Sequence, residues 1–139
     1  MQPIVLYIED DVDDVTLLQH AWKRVGVQNP LRVIRDGEEA LHYLSGRGPY
    51  ANRIDHPLPC LVLLDLRLPR VSGLDVLKWI RQQPSLHESR VIIVTSELRP
   101  QDTAAAEALG IDACFVKPTR FDEWRALVDT LSASWLGGG

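Results

Sequence analysis

Only two cysteines occur among the 139 residues, Cys60 and Cys114. They stand in separate apolar segments and make no metal-ligand spacing, so both read as buried, reduced thiols and neither a zinc site nor a redox motif is expected. Long hydrophobic runs are missing too, since no stretch approaches the roughly 18 residues that a membrane-spanning helix needs. Met1-Gln2-Pro3-Ile4 has neither the positive region nor the apolar run of a secretory leader. A cytoplasmic protein without a membrane segment is the expectation. Clustered positive charge is the third absence. The formal charge is -4, and the lysines and arginines are scattered, which argues against nucleic acid as a partner.

What is present is an alternation. Short β-rich runs at 4–8, 31–34, 60–64, 91–94 and 113–116 alternate with helical patterns, as in an α/β fold with a parallel sheet covered on both faces. The first helix shows Leu18, Ala21, Trp22 and Val25 at helical spacing, with a start signal at Asp13-Asp14 and a stop at Gly26. Later helices are predicted over 38–44, 74–81, 101–109 and 121 to about 131. Phe121, Trp124, Val128, Leu131 and Trp135 form one apolar stripe on the last of them. Residues 45–59 have two glycines, three prolines and no period, and read as an irregular loop. A chain of this length is one domain able to bury about two-thirds of its unfolded surface. It is assigned to residues 1–136, with 137–139 as a flexible glycine tail.

Open parallel sheets bind ligands beyond the carboxyl ends of their strands. Four of the five predicted strands end there on a polar group: Glu9-Asp10, Asp65, Thr95-Ser96 and Lys117. Singly, such residues are commonly caps, turn residues or solvated charges. On one edge they become a candidate site, because gathered carboxylates need a cation or a transferred group to offset their repulsion. Asp11 is expected to be an exposed rim charge, and Asp13 or Asp14 to cap the first helix.

The series Glu9-Asp10, LLDLRLPRVSG around Asp65, IIVTSE around Thr95 and FVKP around Lys117 resembles the receiver domain of two-component response regulators. The resemblance runs from Ile4 to about Leu131. The long connection before the third strand, PLPCLVLLDL and the terminal tryptophan are similar to stand-alone regulators paired with phytochrome-type histidine kinases. The resemblance implies a flavodoxin-like, doubly wound five-stranded parallel sheet of order 2-1-3-4-5 with five helices. It also implies a function: Asp65 accepts a phosphoryl group from a sensor kinase phosphohistidine, and the signal leaves through protein contacts or onward phosphotransfer. This is not conventional enzyme turnover.

In that reading Glu9, Asp10, Asp65 and the backbone carbonyl of Arg67 hold Mg²⁺, a hard ion that suits oxygen ligands and keeps several waters, with Glu9 acting through water. Lys117 supplies positive charge to a phosphoryl oxygen, the Thr95 hydroxyl donates to another, and the small Ser96 leaves room. A cis Lys117-Pro118 bond is expected to aim the lysine. The aromatic switch position of such domains, three residues before the lysine, holds Cys114, and Phe115 lies one step along on the opposite strand face. The readout is therefore expected to pass through the loop and helix after Thr95. Cys60 and Cys114, two strands apart, are too distant for a disulfide. Arg67 and Glu97 are expected to pair across the mouth of the site and slow acyl-phosphate hydrolysis.

Two other functions fit the sequence less well. A phosphatase of the haloacid-dehalogenase type needs a carboxylate where Arg67 stands, and a non-phosphorylated pseudo-receiver is disfavoured by the intact residue set. Homodimerisation through the fourth and fifth helices, around Trp124 and Trp135, is a further expectation. The four histidines share no spacing with the acidic residues and read as surface groups.

Overall fold

A computed structural model describes residues 2–137. Five parallel strands, β1 (Val5–Ile8), β2 (Leu31–Ile34), β3 (Leu61–Leu64), β4 (Arg90–Thr95) and β5 (Ala113–Val116), lie in the order β2-β1-β3-β4-β5. Five α-helices alternate with them: α1 (Val12–Val25), α2 (Gly37–Ser45), α3 (Gly73–Arg81), α4 (Pro100–Leu109) and α5 (Phe121–Trp135). The sheet is the doubly wound, flavodoxin-like one anticipated. The expected glycine tail falls largely on residues 138–139, outside the described residues.

Side chains alternate across the sheet and build two cores. Leu6, Ile8, Val62, Leu64, Val91 and Ile93 point to α2, α3 and α4, whereas Val5, Tyr7, Leu61, Leu63, Ile92 and Val94 point to α1 and α5. Strands β1 and β3 are buried on both faces, which explains their unbroken apolar runs. The pairing Ile8 with Leu64 puts Glu9 and Asp65 at the same level, one residue beyond the strands, and Thr95 pairs with Val116 just before Lys117. Strand register alone thus delivers the polar groups to one edge.

Four local findings differ from expectation. Asp11 is the cap of α1: its carboxylate accepts the Asp14 N–H at 3.0 Å, which frees Asp14 for another role. Helix α5 runs to Trp135, because Trp135 and Leu136 continue its stripe against the α1-facing core. Trp124 is fully buried in that same core, so it offers no surface to a second copy. Finally, the stretch after α2 is anchored. It forms a short helical turn at Gly48–Tyr50, and the Arg53 guanidinium donates to the carbonyls of Tyr43, Leu44 and His56. His56 packs edge-on against Tyr43 and Tyr50 and lies 3.1 Å from Arg32.

The loop from β3 to α3 is drawn tight against the site. A Cβ on Gly73 would lie 2.2 Å from the carbonyl oxygen of Asp65, so only glycine allows α3 to start there. Arg70 is the only non-glycine residue with positive φ among the described residues, at 71°. Its guanidinium reaches Glu38 at 3.5 Å and Asp36 at 3.9 Å, tying the loop to the start of α2.

Candidate functional site

Asp65 is the centre of the carboxyl edge and is 2% exposed. Its Oδ1 accepts hydrogen bonds from Thr95 Oγ1 and from the Arg67 N–H, both at 3.0 Å. Its Oδ2 lies 2.8 Å from Lys117 Nζ. Glu9 Oε1 is also 2.8 Å from that ammonium, and Asp14 Oδ2 is 2.9 Å away. Glu9 Oε2 accepts the Asp11 N–H at 3.2 Å. The strand ends thus bring Glu9, Asp65, Thr95 and Lys117 together, and α1 adds Asp14.

Among the described residues, the Lys117 ammonium is the only cation in direct contact with these carboxylates. Burial pulls its pKa down, but hydrogen bonds to Asp65, Glu9 and Asp14 outweigh burial and hold it above the ordinary ammonium value. Glu9 is fully buried, and burial together with the Asp65 charge raises its pKa against the opposing pull of Lys117. Asp10 is exposed on the rim. Glu9, Asp10 and Asp65 each present an oxygen such that all three lie within 4.8 Å of one another.

Response regulator receiver domains provide a family model that matches residues 5–129. The chain belongs to this family. The receiver is 32% identical over 137 residues to the probable methanogenesis regulatory protein FilR2 of Methanothrix harundinacea, spanning 96% of the chain and 84% of FilR2. It is 31% identical over 133 residues to the response regulator Rcp1 of Synechocystis, spanning 96% and 88%. Among solved structures, the phosphorylated cyanobacterial phytochrome response regulator RcpA superposes with a TM-score of 0.91 at 28% identity, covering 100% of the chain and 97% of RcpA. Rcp1 has also been solved in a Mn²⁺-bound form, to which the receiver aligns at a TM-score of 0.86 and 30% identity over 96% of the chain and 94% of Rcp1.

The donor set of the receiver fits a hard divalent cation. Three carboxylates converge, and the buried Glu9 Oε1 is neutralised by its 2.8 Å contact with Lys117. Glu9 Oε1 faces the lysine in this structure while the residue still presents an oxygen to the carboxylate cluster. Arg67 contributes its N–H to Asp65, and its guanidinium reaches Glu97 at 3.7 Å. That pair is exposed and long, and Glu97 also meets Arg99 at 3.4 Å, so its contribution to stability is about 0–1 kcal/mol.

One expectation is corrected at Lys117. No cis peptide bond occurs among the described residues, so Lys117-Pro118 is trans. The ammonium is aimed by the three carboxylates around it. The switch position is as expected: Cys114 packs into the core beneath α4, and Phe115 packs on the α1 and α5 side. The backbone turn after β4 puts Ser96 and Glu97 at the exposed rim. Two residues near the site were not anticipated. Asp14, expected with Asp13 as a cap, lies in the first turn of α1 and reaches Lys117 instead. Tyr7 precedes Glu9 by two, and the period of two along a strand places both on one face.

No helix among the described residues is long and apolar enough to cross a membrane.

Proposed function

We propose that this receiver takes a phosphoryl group from a phosphohistidine of a sensor kinase onto Asp65. The observation that carries the reading is the convergence of a hydroxyl and an ammonium on the two oxygens of one buried carboxylate, Thr95 on Oδ1 and Lys117 on Oδ2. An oxygen of Asp65 attacks phosphorus, the new P–O bond forms as the P–N bond breaks, and the imidazole leaves with the electron pair. Lys117 then pairs with a phosphoryl oxygen, and Thr95 donates to another. Glu9, Asp10, Asp65 and the Arg67 carbonyl would hold Mg²⁺, which when bound neutralises charge on the transferred group.

The partner in this reading is a sensor histidine kinase, and likeness to the phytochrome response regulator RcpA supports one of the phytochrome type. A cytoplasmic setting follows from such a partner. The chain is a switch that modifies itself, without substrate turnover, and the Arg67-Glu97 pair shields the acyl phosphate. Residues 1–136 act as the receiver unit. A homodimer through α4 and α5 is also part of the reading, formed by exposed α4 residues such as Ala104 and Ala108 and by Trp135, with Trp124 left in the core. Acetyl phosphate with Mg²⁺ tests the central step: intact mass should rise by one phosphoryl group, and the rise should vanish in Asp65→Asn. A chain that stays unmodified with every small donor and with a phosphorylated kinase would be a pseudo-receiver.

A further inference from the structure

Tyr7 is a buried polar group for which the fold itself gives no reason. Its ring packs among Val15, Leu18, Val94, Trp124 and Leu127 in the α1-facing core, and the residue is 0% exposed. Its hydroxyl makes no full hydrogen bond and has only a weak approach to the Glu9 carboxylate. A phenylalanine would pack equally well and would avoid the cost of an unpaired buried hydroxyl. The hydroxyl therefore points to a state other than the one in this structure.

Its surroundings say which state. Tyr7 and Glu9 lie on one face of the same strand, and the carboxylates of Glu9, Asp14 and Asp65 are the charges that act on the phenol. Burial and then these charges hold the phenol protonated, so it keeps an O–H to donate. The carboxylate that meets the phenol is that of Glu9, whose Oε1 relies on Lys117 at 2.8 Å for its partner. Here Lys117 occupies Glu9. If Glu9 turns from the lysine toward a divalent cation, one of its oxygens needs a new partner in a site closed to water.

We propose that Tyr7 is a positioning residue for Glu9: its hydroxyl donates to the Glu9 carboxylate in the cation-bound state and fixes that carboxylate toward the metal. This rests on the metal reading given above. The Glu9 carboxylate exchanges partners, with Lys117 released to the phosphoryl group as Tyr7 fully engages Glu9.

The test compares the wild-type chain with Tyr7→Phe, using Mg²⁺ alone as the probe in calorimetric titration. Tyr7→Phe should keep or raise the metal-free melting temperature, because it deletes an unpaired hydroxyl, and should weaken Mg²⁺ binding about tenfold, because it deletes a hydrogen bond to a charged group. A purely structural tyrosine would give the reverse, lower metal-free stability with unchanged affinity, and that result overturns the inference. Ring-labelled tyrosine NMR gives a second readout that needs no variant: one of the three tyrosine signals should shift on adding Mg²⁺. Binding without such a shift overturns the inference while leaving the metal reading intact. A wild-type chain that binds no Mg²⁺ overturns both.

Discussion

Thr95 Oγ1 donates to Asp65 Oδ1 at 3.0 Å, joining the ends of β4 and β3 across 30 residues of chain. Both residues are buried, so the hydroxyl of one strand end satisfies a carboxylate at its neighbour and stands ready to follow charge that builds on Asp65. The same contact ties Asp65 to the strand end that leads into the loop before α4. On the proposed function, with Cys114 in the switch position, the readout is expected to pass through the loop and helix after Thr95.

Gly73 should tolerate no side chain. The 2.2 Å approach of its would-be Cβ to the Asp65 carbonyl means that Gly73→Ala pushes α3 from β3, at a cost of about 2–3 kcal/mol. Thermal denaturation should show a melting temperature lower by roughly 5–10 °C. An unchanged melting temperature would show that the loop relaxes without penalty.

Lys117 ties stability to alkaline pH. Its folded pKa is raised above the 10.5 of the free side chain, so its stabilisation is complete below that value and fades as pH rises through the folded value. Denaturant melts should show a loss of stability above about pH 10.5 that is absent in Lys117→Ala. The substitution leaves Glu9, Asp14 and Asp65 without their ammonium and should cost about 3 kcal/mol at neutral pH. Added Mg²⁺ should restore part of that loss.

Asp14 competes for Lys117. The 2.9 Å contact draws the ammonium toward α1 and away from an incoming phosphoryl group, so Asp14→Asn should speed phosphorylation by acetyl phosphate about two- to fivefold, the range that a partly exposed ion pair of 0.5–1 kcal/mol allows. Initial rates followed by intact mass check this. A slower variant would instead make Asp14 part of what holds the lysine in its working position.

The thiols should be slow and separate. Burial is the main cause of the raised pKa of both Cys60 and Cys114, and they pack in cores on opposite sides of the sheet. Alkylation of the native chain at neutral pH should lag well behind that of the unfolded chain. Mild oxidation should give no intramolecular disulfide by peptide mapping.

Much of this arrangement was legible in the sequence, for physical reasons. Apolar runs such as Leu61–Leu64 can only be buried strands, and a parallel sheet sends every strand end to the same edge, so Glu9, Asp65, Thr95 and Lys117 could be grouped without coordinates. What was not legible depends on side-chain direction. Asp11, Asp13 and Asp14 are all acceptable caps in sequence, and only the turn of α1 decides that Asp11 caps while Asp14 reaches Lys117. Trp124 and Trp135 share one stripe, yet the α1–α5 packing buries Trp124 completely and leaves Trp135 partly exposed. The order in residues 46–59 rests on Arg53 bonding to three carbonyls, which no periodicity reveals.

The central claim is that Asp65 is the phosphoacceptor, and peptide mapping of the chain after reaction with acetyl phosphate and Mg²⁺ tests it most directly. Reduction of the acyl phosphate with borohydride should mark Asp65 alone, and Asp65→Asn should carry no mark. A mark on another residue, or an unchanged yield in Asp65→Asn, would contradict the account.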